Sequence, residues 1–159
     1  MTLLALFARG SLFWPIFLPS TDVQKAQEII YALAQKTSLD YSESFSRWAG
    51  SKVYLKKENE QRAGSFKIRG ALNKISSFTN DEKKRGVIAC SMGNHAQGVA
   101  LSATHLGVKS TIVMPETAPI VKVKATEAYG AKVVQYGQIY DQASDEAQRL
   151  AARDNLIFV

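Results

Sequence analysis

At 159 residues, 46% apolar and 21% charged, the chain has the length and composition of one folded domain with a sizeable core. A single cysteine, Cys90, excludes an internal disulfide framework and suits a reducing compartment. The net charge of +6 comes from scattered basic residues, with weak clusters at 52–57 and 83–85 and no interleaved aromatic platforms; an anionic small ligand explains it, and no nucleic-acid partner is expected.

Residues 3–18 are rich in Leu, Phe and Trp, but Arg9, Gly10 and Pro15 interrupt them. A secretory signal needs its basic residues before a continuous apolar stretch, and a spanning helix needs around 20 uninterrupted apolar residues. Neither pattern is present, so residues 1–20 are predicted to be an atypical apolar extension, and no membrane partner is expected.

From Pro19 the elements become regular. Thr21 and Gln24 have capping-box spacing, and Val23, Ala26, Ile30 and Leu33 form a helical stripe to about Lys36. A short helix over 41–49 closes at Gly50. Residues 53–55 read as a strand and 58–64 as a polar loop.

That loop leads to Gly64-Ser65-Phe66-Lys67-Ile68-Arg69-Gly70-Ala71. Ile68, Ala71, Leu72 and Ile75 recur at helical spacing, and Ser65 can accept an orphan amide at the helix start. Gly70 costs roughly 1 kcal/mol inside a helix, yet with Ala71 it clears the surface beside Lys67. The positive end of the helix dipole disfavours an ammonium there and is expected to lower the lysine pKa. A neutral, accessible amine is what Schiff-base chemistry needs. From these residues alone, a solvated surface lysine is the other reading, since most lysines are exposed.

A strand–helix rhythm follows: strand 87–90, loop 91–94, helix 95–106 ended by Gly107, strand 111–114, helix 120–129 ended by Gly130, strand 132–135, helix 142–153, and a strand from Ile157. Alternation of this kind predicts the α/β class, with right-handed crossovers and an open parallel sheet flanked by helices.

In such sheets, ligands bind beyond the carboxyl ends of strands. The loop Ser91-Met92-Gly93-Asn94 lies at one and opens a helix, so its N–H groups can hold an anion. Gly93 permits close approach, and Asn94 offers an amide donor. No G-x-G-x-x-G follows a strand, and no Lys-Ser/Thr follows Gly98, so neither a dinucleotide fingerprint nor a P-loop is present. His95 and His105 have no carboxylate at ligand spacing, so no metal is expected. Cys90 reads as a buried strand residue.

The two motifs, 64–71 and Gly93-Asn94-His95-Ala96-Gln97-Gly98-Val99-Ala100 after strand 87–90, resemble those of the pyridoxal-phosphate-dependent threonine/serine dehydratases (ammonia-lyases) of the tryptophan-synthase-β-like fold. The resemblance runs from about Lys52 to Val159, more weakly from Thr21, and is strongest to the short catabolic type. It implies pyridoxal 5'-phosphate as cofactor, an internal Schiff base at Lys67, Phe66 beside the cofactor, and Asn94 bonded to its ring oxygen. It also implies a substrate carboxylate held by Ser91, Met92, Gly93, Asn94 and His95. The expected reaction turns L-threonine or L-serine into a 2-oxoacid and ammonia, in a cytoplasmic homo-oligomer.

By the same resemblance, residues 21–58 begin the larger cofactor domain and 59–159 form the smaller one. The phosphate-gripping glycine loop and the group facing the pyridine nitrogen would lie downstream, so the chain is expected to be a fragment. Met92 departs from the Ala or Ser usual at its position. An amino-acid racemase of the same fold, which would want a serine there, and a non-catalytic remnant that binds a ligand or partner are the alternative readings.

Overall fold

The computed structural model describes residues 19–159. The predicted extension over 1–20 lies outside the described residues, apart from Pro19 and Ser20. Helix α1 (Ser20–Ile30) has Pro19 as its cap. The expected capping box does not form, because Asp22 N–H already bonds the Pro19 carbonyl (3.0 Å) and Thr21 lies inside the first turn. The helix also ends earlier than its stripe suggested and buries none of its residues. The chain turns over 31–34, and that turn tucks Leu33 and Ala34 against Ala63, Ile68 and Leu72.

Strand β1 (Leu39–Tyr41), not foreseen, pairs antiparallel with β2 (Tyr54–Lys56), so the expected 53–55 strand lies outside the parallel sheet. Between them, α2 (Glu43–Ala49) is capped by the Ser42 side chain and closed by Gly50 in the left-handed conformation. A 3₁₀ turn at Glu58–Glu60 precedes α3 (Lys67–Ser76). There the predicted stripe Ile68, Ala71, Leu72 and Ile75 is buried. Covering Ile68, Leu72 and Ile75 contributes about 1.5–3 kcal/mol each. The short helix α4 (Asn80–Arg85) was also unforeseen; Thr79 and Glu82 form its capping box.

Four parallel strands then form the sheet: β3 (Val87–Cys90), β4 (Ser110–Met114), β5 (Lys132–Gln135) and β6 (Ile157–Phe158), in the order β5-β4-β3-β6. Alternation along the strands sorts side chains between two layers. Val87, Ala89, Ile112 and Met114 pack with residues of α3, α5 (Asn94–His105) and α6 (Ile120–Ala128). Ile88, Cys90 and Val113 pack with Ala143, Ala147 and Leu150 of α7 (Tyr140–Asp154) on the other face. The chain steps outward from β3 to β5 and then returns past β3 to β6. That reversal puts α7 opposite α5 and α6 and makes the carboxyl ends of β3 and β6 the sheet's switch point. No helix among the described residues is long and apolar enough to cross a membrane.

Candidate active site

Lys67 is the first residue of α3. Gly64 precedes it at φ +67, a conformation that favours glycine, and turns the chain into the helix. Phe66, not Ser65, leads into the first turn, but the Ser65 hydroxyl still accepts an orphan amide, that of Lys67, at 3.3 Å. Tyr129 at the end of α6 donates its hydroxyl to the Arg62 carbonyl (2.7 Å) and steadies this approach. Phe66 is 59% exposed, and Lys67 Nζ lies 5.3 Å from its ring centroid. Gly70 leaves open space beside the lysine, as expected: a Cβ there would meet nothing within 4 Å.

An ion pair anchors the next turn. Arg69 Nε and Nη2 donate to the Glu58 carboxylate at 2.9 and 2.8 Å, and the Thr37 hydroxyl adds a third bond at 2.6 Å. Arg69 also donates to the Gln35 carbonyl, while the buried Gln61 amide pairs with both backbone groups of Gln35. Residues 35–37 and 58–61 are thereby fastened to the helix that carries Lys67. The guanidinium, followed by the Thr37 hydroxyl, holds the Glu58 carboxyl at about 2, below its usual 4.5.

A carboxyl that titrates lower when folded adds stability that is fully present above about pH 4.5 and is lost as pH falls towards 2. At about 1.4 kcal/mol per pH unit the shift corresponds to roughly 3 kcal/mol, and solvent screening leaves about 1–2. Glu58→Gln is therefore expected to lower stability at pH 7 by about that amount and to flatten its decline between pH 4.5 and 2. Chemical denaturation across that range measures both, and an unchanged acid slope would assign the acid sensitivity to other carboxylates.

The second motif begins where β3 ends. Ser91 N–H bonds the Val113 carbonyl (3.1 Å), and the Ser91 hydroxyl accepts from Gly93 N–H (3.2 Å). Helix α5 then starts with no side-chain cap, so its first amides are left to water or to an anion. A Cβ on Gly93 would meet open space. Met92 is 38% exposed, and Asn94 is exposed at the first helical position. His95 Nε2 lies 3.2 Å from the Val159 carbonyl. A carbonyl only accepts, so Nε2 carries the proton in that contact.

The two motifs meet. A Cβ on Gly98 would lie 3.2 Å from the carbonyl carbon of Lys67 and 3.2 Å from the amide of Ile68. Asn94 stands one turn before Gly98, on the same face of α5. The amine-bearing turn and the uncapped helix start are thus neighbours. Asn94 Oδ1 in turn accepts from Lys122 Nζ, at 3.3 Å, in the first turn of α6. Sequence reasoning missed both Lys122 and the Glu58–Arg69 pair. For Lys122 the available signal was a cation in a helical first turn that holds no acid.

Burial raises the pKa of the Cys90 thiol, which keeps it protonated in the sheet at neutral pH. Among the described residues, no cluster of three His, Cys, Asp or Glu side chains could hold a metal ion.

A family profile described as pyridoxal-phosphate-dependent enzyme matches residues 30–159. The L-threonine ammonia-lyase of Thermotoga maritima is 46% identical over 138 residues, which cover 87% of this chain and 34% of that protein. The catabolic L-threonine dehydratase of Escherichia coli K12 is 44% identical over 138 residues, covering 87% and 42%. Among solved structures, the processed form of threonine deaminase isoform 2 from Solanum lycopersicum has a TM-score of 0.79 and 39% identity, covering 89% of this chain and 40% of that one. Maize serine racemase has a TM-score of 0.82 and 31% identity, covering 87% and 42%. The chain therefore spans 34–42% of the length of these relatives.

Proposed function

The chain belongs to the pyridoxal-phosphate-dependent enzymes, and from that premise we propose that it carries the lysine-bearing part of an L-threonine or L-serine ammonia-lyase. The observation that supports this reading most is the seating of Gly98 against the backbone of Lys67, which brings amine and anion site together. The residues present suit the cofactor. An exposed amine stands beside an exposed phenyl ring, Gly70 and Gly93 leave room, and a carboxamide and uncapped amides lie one turn away.

Bound there, pyridoxal phosphate would supply an electron sink for a carbanion. Lys67 Nζ would hold the cofactor and is the base placed to take the proton from the substrate Cα. Phe66 and the Asn94 amide, which would donate to the ring oxygen, would help hold the cofactor. The 91–95 loop, through the uncapped amides at the start of α5, would receive the substrate carboxylate at the positive end of that helix. The net outcome would be the 2-oxoacid and ammonia.

Residues 21–58, whose β1–β2 ribbon is separate from the four-stranded sheet, belong in this reading to the larger domain, and 59–159 form the smaller one. One buried cysteine suits the cytoplasm, and the working enzyme is a homo-oligomer.

Elimination is expected in preference to racemisation. Racemising requires an acid–base group on each face of the cofactor, and Met92 offers a thioether that cannot transfer protons at neutral pH. The test joins this chain to the remainder of a full-length relative, supplies L-threonine and L-serine, and follows 2-oxoacid release alongside chiral analysis. Dominant 2-oxoacid supports the proposal, and accumulation of D-serine as the main product would replace it with a racemase.

A further inference from the structure

Helix α6 carries a lysine that its own helix does nothing to stabilise. Lys122 lies in the first turn after the Pro119 cap, where the helix dipole disfavours an ammonium and no acidic residue stands. Among the described residues no carboxylate forms an ion pair with it. Its side chain reaches instead to α5, with Nζ 3.3 Å from Asn94 Oδ1.

An ammonium has three donors and no acceptor, so only the oxygen end of the Asn94 carboxamide can face it. The two ends of a planar carboxamide point apart, and the amide hydrogens are therefore turned away from α6. We propose that Lys122 is a positioning residue that holds the Asn94 carboxamide in one of its two flips, with the NH₂ group presented to the cofactor's ring oxygen. The inference rests on the function proposed above for Asn94. Without the ammonium both flips become available, and one of them sets oxygen against an electron-rich oxygen.

Two measurements test this, the first on the 159-residue chain. Relaxation of the Asn94 side-chain amide in ¹⁵N-labelled, cofactor-free protein reports its order, with the exposed Asn59 and Asn73 as internal standards. Lys122→Met is expected to bring Asn94 to their mobility, and Lys122→Arg, which keeps the donor, to restore its order. Titration with pyridoxal phosphate of the chain joined to the remainder of a full-length relative should then show about fivefold to tenfold weaker binding for Lys122→Met, the loss of about one hydrogen bond. Asn94→Ala should lose a similar factor, and the double variant no more than either alone. Unchanged Asn94 order in Lys122→Met, or losses that simply multiply, would overturn the positioning role. Failure of every variant and of the parent to bind the cofactor would overturn the proposed function instead, and the amide order would then decide the orientation alone.

Discussion

Replacing Lys67 by alanine is expected to abolish capture of pyridoxal phosphate at the start of α3 without unfolding the chain. The side chain is exposed, and the helix is held by its buried stripe Ile68, Ala71, Leu72 and Ile75. Alanine is the best helix former, so stability should move by no more than about 0.5 kcal/mol. The loss is therefore chemical. Borohydride reduction of the cofactor-treated chain, followed by peptide mapping, should place the adduct on the peptide containing Lys67 in the parent and leave that peptide unmodified in the variant. Two lysines shortly before it in the sequence have carboxylate partners: Lys57 pairs with Asp40 and Glu60, and Lys56 with Glu58. In the chain joined to the remainder of a relative, ammonia release from threonine should fall by at least roughly 10²–10⁴-fold, the worth of a positioned general base alone. A stoichiometric adduct on another lysine, with ammonia release intact, would move the site.

How much of this was legible in the sequence depended on whether a pattern was long enough to carry a period. The α3 stripe and the apolar runs of β3 and β4 were readable because burial imposes spacing on many residues at once. Strand β1 has three residues and α4 six polar or charged ones, too few for periodicity. The only sequence signal for α4 was the spacing of Thr79 and Glu82. In α1 the stripe was present but the burial was not, and Val23 is 59% exposed. Periodicity identifies the face that could be covered, not what covers it.

The site divides in the same way. The motifs around Lys67 and Asn94 were legible as residue types at helix starts, since capping and anion binding are local. Their contact through Gly98 was not, because close approach of two helices is a property of their packing. Lys122 and Asn94 are separated by 28 positions, and only the fold sets them side by side. Glu58 and Arg69 illustrate the point from the stability side: each reads alone as an ordinary surface charge, and their pairing fastens 35–37 to the turn that carries the amine.

Gly98 is where packing and propensity predict opposite outcomes. By propensity alone, glycine to alanine inside a helix gains roughly 1 kcal/mol, and Gly70→Ala, with nothing within 4 Å of its new Cβ, is expected to show that gain. At Gly98 the new atom would meet the carbonyl carbon and oxygen of Lys67 at 3.2 and 3.3 Å and the amide of Ile68 at 3.2 Å. These are backbone atoms, which cannot rotate aside. Ile68 is completely buried among Leu33, Ala34, Ala63 and Leu72, so α3 cannot retreat without opening that cluster. Gly98→Ala should therefore forfeit the propensity gain. Gly98→Val, with two further methyls, should cost about 1–3 kcal/mol through overpacking and push the Lys67 turn away from α5. Misplacing a reacting group by about 1 Å can cost on the order of 10²-fold in rate, and cofactor capture at Lys67 should slow on that scale. Denaturation midpoints for the three variants, read beside the rate of borohydride-trapped adduct at Lys67, measure both effects. If Gly98→Val matched the parent in stability and capture rate, the two helices would not be in the contact that joins the motifs, and the site built on that contact would have to be abandoned.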